Sequence, residues 1–418
     1  MSILIQNVLL ADQSTDLLIE GNRIARIAPE IPEPSGATLI DGSHQAILPG
    51  LHNGHTHAAM VLLRGYADDM PLHQWLTEKI WPIEAKMTEE SVYWGTKLAC
   101  VEMIRTGTTF FNDMYWHRQG SVRAVTEMGL HASLAGVVID LFDKAKAREQ
   151  RAEVENAFAV AQENSCDRIQ FTLGPHAIYT VSEASLRWIA EFATQHDLLI
   201  HTHLSETQKE VDDCLAQHGV RPVEYLERIG FLGSRVSFGH GIWLDERERA
   251  ILGERGCAIV TNPCANMKLG SGMFAFADTA KAGIPIGLGT DGTSSNNNLD
   301  LFEEMKFAAL LEKVRTMDPT AVPAAEILRT ATAENAKIFR LDSGVVEEGA
   351  LADLILVNLR ALAYAPGHNF VSDAVYSGTG YHVNTTICDG KILMRDREIP
   401  GEEEIRVKAI ECSGFLTA

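Results

Sequence analysis

Residues 46–57 read AILPGLHNGHTH, an apolar run broken by a Pro-Gly pair and ended by two histidines one residue apart. A short apolar or β-branched run that stops at turn residues reads as a buried strand. Side chains two apart on a strand share a face. His55 and His57 therefore point the same way at the mouth of that strand, whereas His52 is out of phase and is assigned a structural role. Alone, the H-x-H pair says little, because short motifs arise by chance. Its meaning depends on what the rest of the chain brings to it.

Seven more runs of similar build follow: TTFFNDM (108–114), HASLAGVVID (131–140), RIQFTLGPHAIYT (168–180), LLIHTHLSE (198–206), VSFGHG (236–241), CAIVTNP (257–263) and IPIGLGTDG (284–292). Between them lie segments such as TEESVYWGTKLACVEMIRTG (88–107) and SEASLRWIAEFATQHD (182–197), with apolar positions near the helical period and Ser or Thr starts. Eight strand–helix repeats predict an α/β fold, a (β/α)8 TIM barrel over residues 49–345, with its active site at the C-terminal ends of the strands. The two ends of the chain differ. Residues 1–48 (ILIQNVLLA, TDLLIEGNRIARIAP) and 346–418 (GALADLILVN, NTTICDGKILMRDREI) read as short alternating strands with glycine turns. Because they bracket the barrel, they are expected to pair into one small composite β-sandwich.

The bulk composition fits this reading. Of 418 residues, 46% are hydrophobic and 22% charged, as in ordinary globular proteins. Acidic residues outnumber basic ones by 56 to 36, a formal net charge of −20 that argues against nucleic-acid or anionic-membrane binding. No apolar stretch reaches membrane-span length, and the start MSILIQNVLLADQSTD lacks the features of a secretion signal. Seven cysteines without a C-x-x-C pair disfavour a disulfide framework or cysteine–zinc site and point to a reducing cytoplasm.

The strand ends supply partners for His55 and His57. The fifth offers His201 and His203, with Glu206 just beyond; the sixth offers His240, the eighth Asp291 and the fourth His176. Each has a plain alternative as a hydrogen-bonded core histidine or a helix cap, and for His201 that alternative is preferred. So many such groups on one barrel rim point instead to a shared site. Three imidazoles and one carboxylate (His55, His57, His203, Asp291) suit one divalent ion of borderline softness, zinc first, or another such as Fe(II), with a position left for water. Glu206 is then free to carry protons, and His240 to orient or deprotonate the water.

With "HTH", "HLSE", "GHG", "TDG" and the flanking "EEGALADLILV", the chain resembles the amidohydrolase superfamily over nearly its whole length, and its metal-dependent aminohydrolases in particular. It is most similar to the branch of 5′-methylthioadenosine/S-adenosylhomocysteine deaminases and their chlorohydrolase-like relatives, through residues 53–88, GPHAIYT, HTHLSET, NPCANMKLGSG and GLGTDGTSSNNNLDLFEEMK. Two-metal members use a carboxylated lysine on strand four. That strand, IQFTLGPHAI, has none here, so the resemblance implies a single ion per subunit. It also implies Glu84 on the ribose hydroxyls, His176 against the substrate, Trp75 and Trp81 lining the pocket, a purine nucleoside substrate and a homo-oligomer. Relatives that accept S-adenosylhomocysteine are expected to hold its carboxylate with an arginine after strand three. Here that strand runs LAGVVID, and the nearest basic residues are Lys144, Lys146 and Arg148, which favours a neutral 5′ substituent.

The implied reaction is hydrolytic deamination of an adenine ring. A metal-activated water adds to the amidine carbon, Glu206 protonates the ring nitrogen and helps relay a proton to departing ammonia, and Asp291 and His240 take the water's proton. The same machinery could serve guanine, a pterin or a chlorotriazine, because loops rather than strands choose the substrate. The base-deaminase signature H-x-E…P-C-x-x-C and the zincin H-E-x-x-H are both missing. A non-catalytic barrel scaffold is the remaining alternative, and the intact rim set speaks against it.

Overall fold

A computed structural model describes residues 2–417. The chain opens with five strands, β1 (Ser2–Leu10), β2 (Gln13–Glu20), β3 (Arg23–Ala28), β4 (Thr38–Asp41) and β5 (Gln45–Pro49). Eight strands of the barrel follow: β6 (Leu51–Thr56), β7 (Thr108–Asp113), β8 (His131–Val138), β9 (Ile169–Pro175), β10 (Ile200–Leu204), β11 (Val236–His240), β12 (Ala258–Thr261) and β13 (Ile286–Leu288). Their pairs are all parallel and neighbour one another in chain order. The seam between β13 and β6 is closed by the Thr290 and Asp291 amides, which donate to the His55 carbonyl at 3.2 and 2.9 Å. The Asn335 side-chain amide stitches it further down, donating to the His52 and Leu288 carbonyls at 2.6 and 2.8 Å.

The helix starts read from the sequence at Thr88 and Ser182 act as caps, and three further helices are capped in the same way. Thr88 accepts from Ser91 N, Ser182 from Ser185 N, Thr207 from Glu210 N, Asp245 from Glu248 N and Asp300 from Phe302 N. Each satisfies an amide that the first helical turn leaves unpaired, a contribution of roughly 1 kcal/mol. Gly129, Gly219 and Gly256 end helices in the left-handed conformation.

Strands β14 (Leu354–Asn358), β15 (Val383–Cys388) and β16 (Lys391–Met394) complete a second sheet, ordered β16-β15-β14-β5-β1-β2-β3 with β4 on β1. The two chain ends thus meet across β14 and β5, as the bracketing pattern predicted. Ile3, Ile5, Leu17, Ile19, Ile47, Leu354 and Ile387 form its buried core, separate from that of the barrel. The C-terminal segment also contains two helices that the strand-only reading did not anticipate. Phe370–Tyr376 and Glu402–Thr417 return to the barrel, and Glu402 at the start of the second pairs with Arg105 at 2.5 Å. No helix among the described residues is long and apolar enough to cross a membrane, and their seven cysteines are free.

Candidate active site and metal centre

Five strand ends at the C-terminal rim deliver the residues singled out above, His176 directly following β9. His55 lies near the end of β6, with His57 one residue past it; His203 is on β10, with Glu206 two residues beyond. His240 ends β11, and Asp291 follows β13. The backbone turns sharply at these points. Ser205, His240 and Asp291 have φ of 47°, 71° and 62°, the left-handed region that non-glycine residues enter at roughly 1–3 kcal/mol each. Such strain swings the side chain out of the strand direction and into the mouth. Gly289 permits the close approach: a Cβ there would lie 2.7 Å from His55 N.

The side chains then converge. Asp291 Oδ1 lies 3.4 Å from His55 Nε2 and 3.3 Å from His57 Nε2, and His203 Nε2 faces His57 Nε2 at 3.4 Å. Their other nitrogens are already engaged: His57 Nδ1 donates to the Met114 carbonyl at 2.7 Å and His203 Nδ1 to the His176 carbonyl at 2.8 Å. With the proton held on Nδ1, each Nε2 presents a bare lone pair. Two such lone pairs facing each other beside a carboxylate repel unless a cation lies between them. His55 Nε2, wholly buried, has no hydrogen-bond partner. Three imidazole nitrogens and a carboxylate oxygen, each imidazole oriented through its second nitrogen, are a donor set that fits a zinc-like divalent ion. A ring nitrogen of His240 also lies within 4.8 Å of His55 and His203 nitrogens, and its Nε2 is 3.8 Å from Glu206 Oε2.

Electrostatics agree. Burial works against charge on Asp291, but its bonds to His55 and His57 outweigh it and hold the carboxyl well below its usual range. Burial likewise pulls His57 down, yet Asp291 and the Met114 carbonyl raise it to about 9. The field at this point therefore favours a positive charge. Burial outweighs Asp291 at His55 and pushes it down to about 4, and burial pushes His176 down to about 3. Burial raises the Glu206 and Glu84 carboxyls above the usual range.

A cleft opens onto this cluster. His57, His176, His203, Glu206, His240 and Asp291 line its base, and Glu84, Trp75 and Trp81 its wall; His55 is buried behind them. Trp75 is fixed by its indole N–H, which donates to the Ala67 carbonyl at 3.0 Å. Further along, Leu72, Leu76, Val137, Ile139, Trp116 and Leu269 make the lining apolar, and it contains no lysine or arginine. Lys144, Lys146 and Arg148 are exposed at the start of the helix after β8 and do not line the cleft. His52 sits at the opposite end of the barrel, its Nε2 3.2 Å from Ser343 Oγ.

Several residues escaped the sequence reading. Asn266 Oδ1 accepts from His240 Nδ1 at 2.8 Å, and Ser295 Oγ donates to Asp291 Oδ2 at 2.7 Å. Glu210 accepts from the Ser205 and Glu206 amides at 2.8 and 3.0 Å and so holds the turn that presents Glu206. Glu210 begins the next helix and reads as an ordinary helix acid. Asn266 and Ser295 lie in quoted stretches, but nothing in their spacing marks them.

The amidohydrolase family model matches residues 46–393. A 5′-deoxyadenosine deaminase of Methanoregula boonei is 48% identical over 420 residues, covering 99% of this chain and 95% of that protein. A 5-methylthioadenosine/S-adenosylhomocysteine deaminase of Thermococcus sibiricus is 44% identical and covers 94% of each. Among solved structures, an adenosine deaminase from Xanthomonas campestris with bound zinc superposes with a TM-score of 0.93 at 33% identity, covering 99% of this chain and 98% of that one.

Proposed function

The chain belongs to the amidohydrolase family, and from that premise we propose that it hydrolytically deaminates an adenine nucleoside with a neutral 5′ substituent, releasing ammonia. The observation that supports this most is the convergence of bare histidine nitrogens and Asp291 at the base of a cleft whose outer lining is apolar. The names of its relatives support an adenine nucleoside as substrate, and they include S-adenosylhomocysteine as well as 5′-deoxyadenosine. On this reading His55, His57, His203 and Asp291 hold one divalent ion, zinc or a similar metal such as Fe(II). Bound there, the ion lowers the pKa of a water from about 15.7 towards about 7 and so supplies a nucleophile at neutral pH.

The protein's own groups do the rest. Glu206, kept protonated further up the pH scale by burial, donates to the ring nitrogen beside the carbon under attack. His240, oriented by Asn266, and Asp291 take the proton released by the attacking water; Glu206, ionised by its first transfer, relays that proton to departing ammonia, and the proton left on the new oxygen restores Glu206. Glu84 accepts from the ribose hydroxyls, His176 contacts the base, and Trp75 and Trp81 exclude water from its faces. The apolar stretch with Val137 and Ile139 receives the 5′ end. An unpaired carboxylate buried there is costly, so S-adenosylhomocysteine is a poorer substrate than 5′-deoxyadenosine or 5′-methylthioadenosine.

Ammonia release by the zinc-loaded protein tests this, on adenosine, 5′-deoxyadenosine, 5′-methylthioadenosine, S-adenosylhomocysteine, guanine and a chlorotriazine. The expected result is turnover of the adenine nucleosides, with kcat/KM for the two neutral 5′ forms at least about tenfold above S-adenosylhomocysteine, since burying an uncompensated charge exceeds the 1.4 kcal/mol of one decade. Turnover of guanine or the triazine alone would overturn the substrate assignment.

A further inference from the structure

His57 and His203 are oriented by backbone carbonyls, but His55 is not. Its Nδ1 lies 2.7 Å from Nε2 of a second imidazole, His201. His201 Nδ1 lies 2.7 Å from Ser237 Oγ, and that hydroxyl is 3.4 Å from the Ile200 carbonyl. All three side chains are buried inside the barrel. His201 and His203 are two apart on β10 and so share a face; His203 reaches the mouth while His201 lies one layer deeper, behind His55.

The direction of this chain follows from its ends. A carbonyl can only accept, so the Ser237 hydroxyl donates to Ile200 and its oxygen accepts from His201 Nδ1–H. Neutral His201 then has a bare Nε2, which accepts from His55 Nδ1–H. That leaves the lone pair of His55 on Nε2, the nitrogen aimed at Asp291 and the rim cluster. The reverse direction would put the proton on His55 Nε2, facing Asp291, and leave that nitrogen no lone pair for a cation; the metal reading selects the first.

We propose that His201 and Ser237 form a hydrogen-bonded relay that fixes the tautomer and ring orientation of His55, making His201 a positioning residue of the metal centre. The proposal rests on the reading that His55, His57, His203 and Asp291 bind a metal. It adds a histidine that touches neither metal nor substrate.

Zinc affinity, by competition of the full-length protein with a chromophoric chelator, tests it, together with the visible spectrum of the cobalt-substituted protein. Loss of a group that orients a metal ligand typically weakens binding about 10–100-fold, and His201→Leu is expected to do so and to shift the cobalt bands. His201→Gln, whose amide oxygen can accept from His55 Nδ1, restores affinity to within about threefold and restores the spectrum, the rescue expected if an acceptor is what matters. Ser237→Ala gives an intermediate loss that Ser237→Thr repairs. A merely structural role would let Leu and Gln behave alike. Should His201→Leu fail to fold, the Gln variant and the Ser237 pair decide the question. Unchanged affinity and spectrum in His201→Leu, or in Ser237→Ala where Leu does not fold, would overturn the relay. Failure of the wild type to bind zinc, or undiminished binding in His55→Ala, would instead overturn the metal reading beneath it.

Discussion

The two ends of the barrel both bury histidines beside an aspartate, yet they are built for different tasks. At the N-terminal end, His131 Nε2 faces Asp353 Oδ1 at 3.4 Å, with Cys388 close by and His52 in the same region. Asp353 Oδ1 also accepts from the Asp389 amide at 2.7 Å. His131 begins β8 of the barrel, while Asp353, Cys388 and Asp389 belong to the C-terminal β layer. This cluster ties one domain to the other. At the C-terminal end the carbonyls and side chains occupy the Nδ1 atoms and leave the Nε2 atoms facing one another across a cleft. Residue types do not separate the two ends, and neither does an unpartnered nitrogen, since His131 Nε2 and His55 Nε2 both lack a well-formed hydrogen bond. What separates them is that several rim nitrogens converge with Asp291 at the base of a cleft, whereas His131 faces Asp353 between two packed layers.

That contrast can be broken most directly at the rim. Asp291→Asn and His203→Ala should each abolish metal retention and turnover, because each removes a donor from a set of four. Normal zinc content by elemental analysis in either variant would remove that residue from the ligand set. Glu206→Gln should keep the metal and lose about 10²–10⁴ in kcat, the usual worth of a positioned proton carrier. Near-normal turnover there would mean that another group moves the proton.

The sequence made the rim legible through phase. His55, His57 and His203 fall on strand faces that period-two alternation identifies, and the glycine turns after His240 and Asp291 mark the ends of their strands. Alternation alone does not separate His201 from His203, since both face inward; their order on the strand does, because the later residue lies nearer the C-terminal mouth. Neither signal shows what locks each imidazole, because Met114 and His176 act through backbone carbonyls that any residue would supply. Asn335 closes the seam between β13 and β6 from a helix more than forty residues beyond Leu288; only the closed barrel brings them together. The helix Glu402–Thr417 has few fully buried positions, Ile405, Ala409 and Leu416. That face is too thin for a strong helical period, and its packing against the barrel gives the segment its structure.

The smallest effect on chemistry, and the sharpest test of the contrast, belongs to Asp353. Asp353→Asn keeps an oxygen for the Asp389 amide but removes the charge facing His131. Removing the charge of the buried carboxylate that faces His131 leaves that side chain without its partner, so the variant should unfold at markedly lower denaturant while its zinc content and kcat per folded molecule stay unchanged. The pH dependence has a definite sign. Burial opposes ionisation of Asp353, but the hydrogen bond and charge of His131 outweigh it and lower the carboxyl below its ordinary value of 3.8. The native state thus binds fewer protons at this group than the unfolded state just below pH 4. The stability it contributes is present above that value and is lost as pH falls through the lowered one. The gap between wild type and variant should be widest near pH 7 and close on acidification below about pH 4. A loss of turnover at full zinc occupancy would instead mean that the two ends of the barrel are coupled and that the N-terminal cluster does more than tie the domains together.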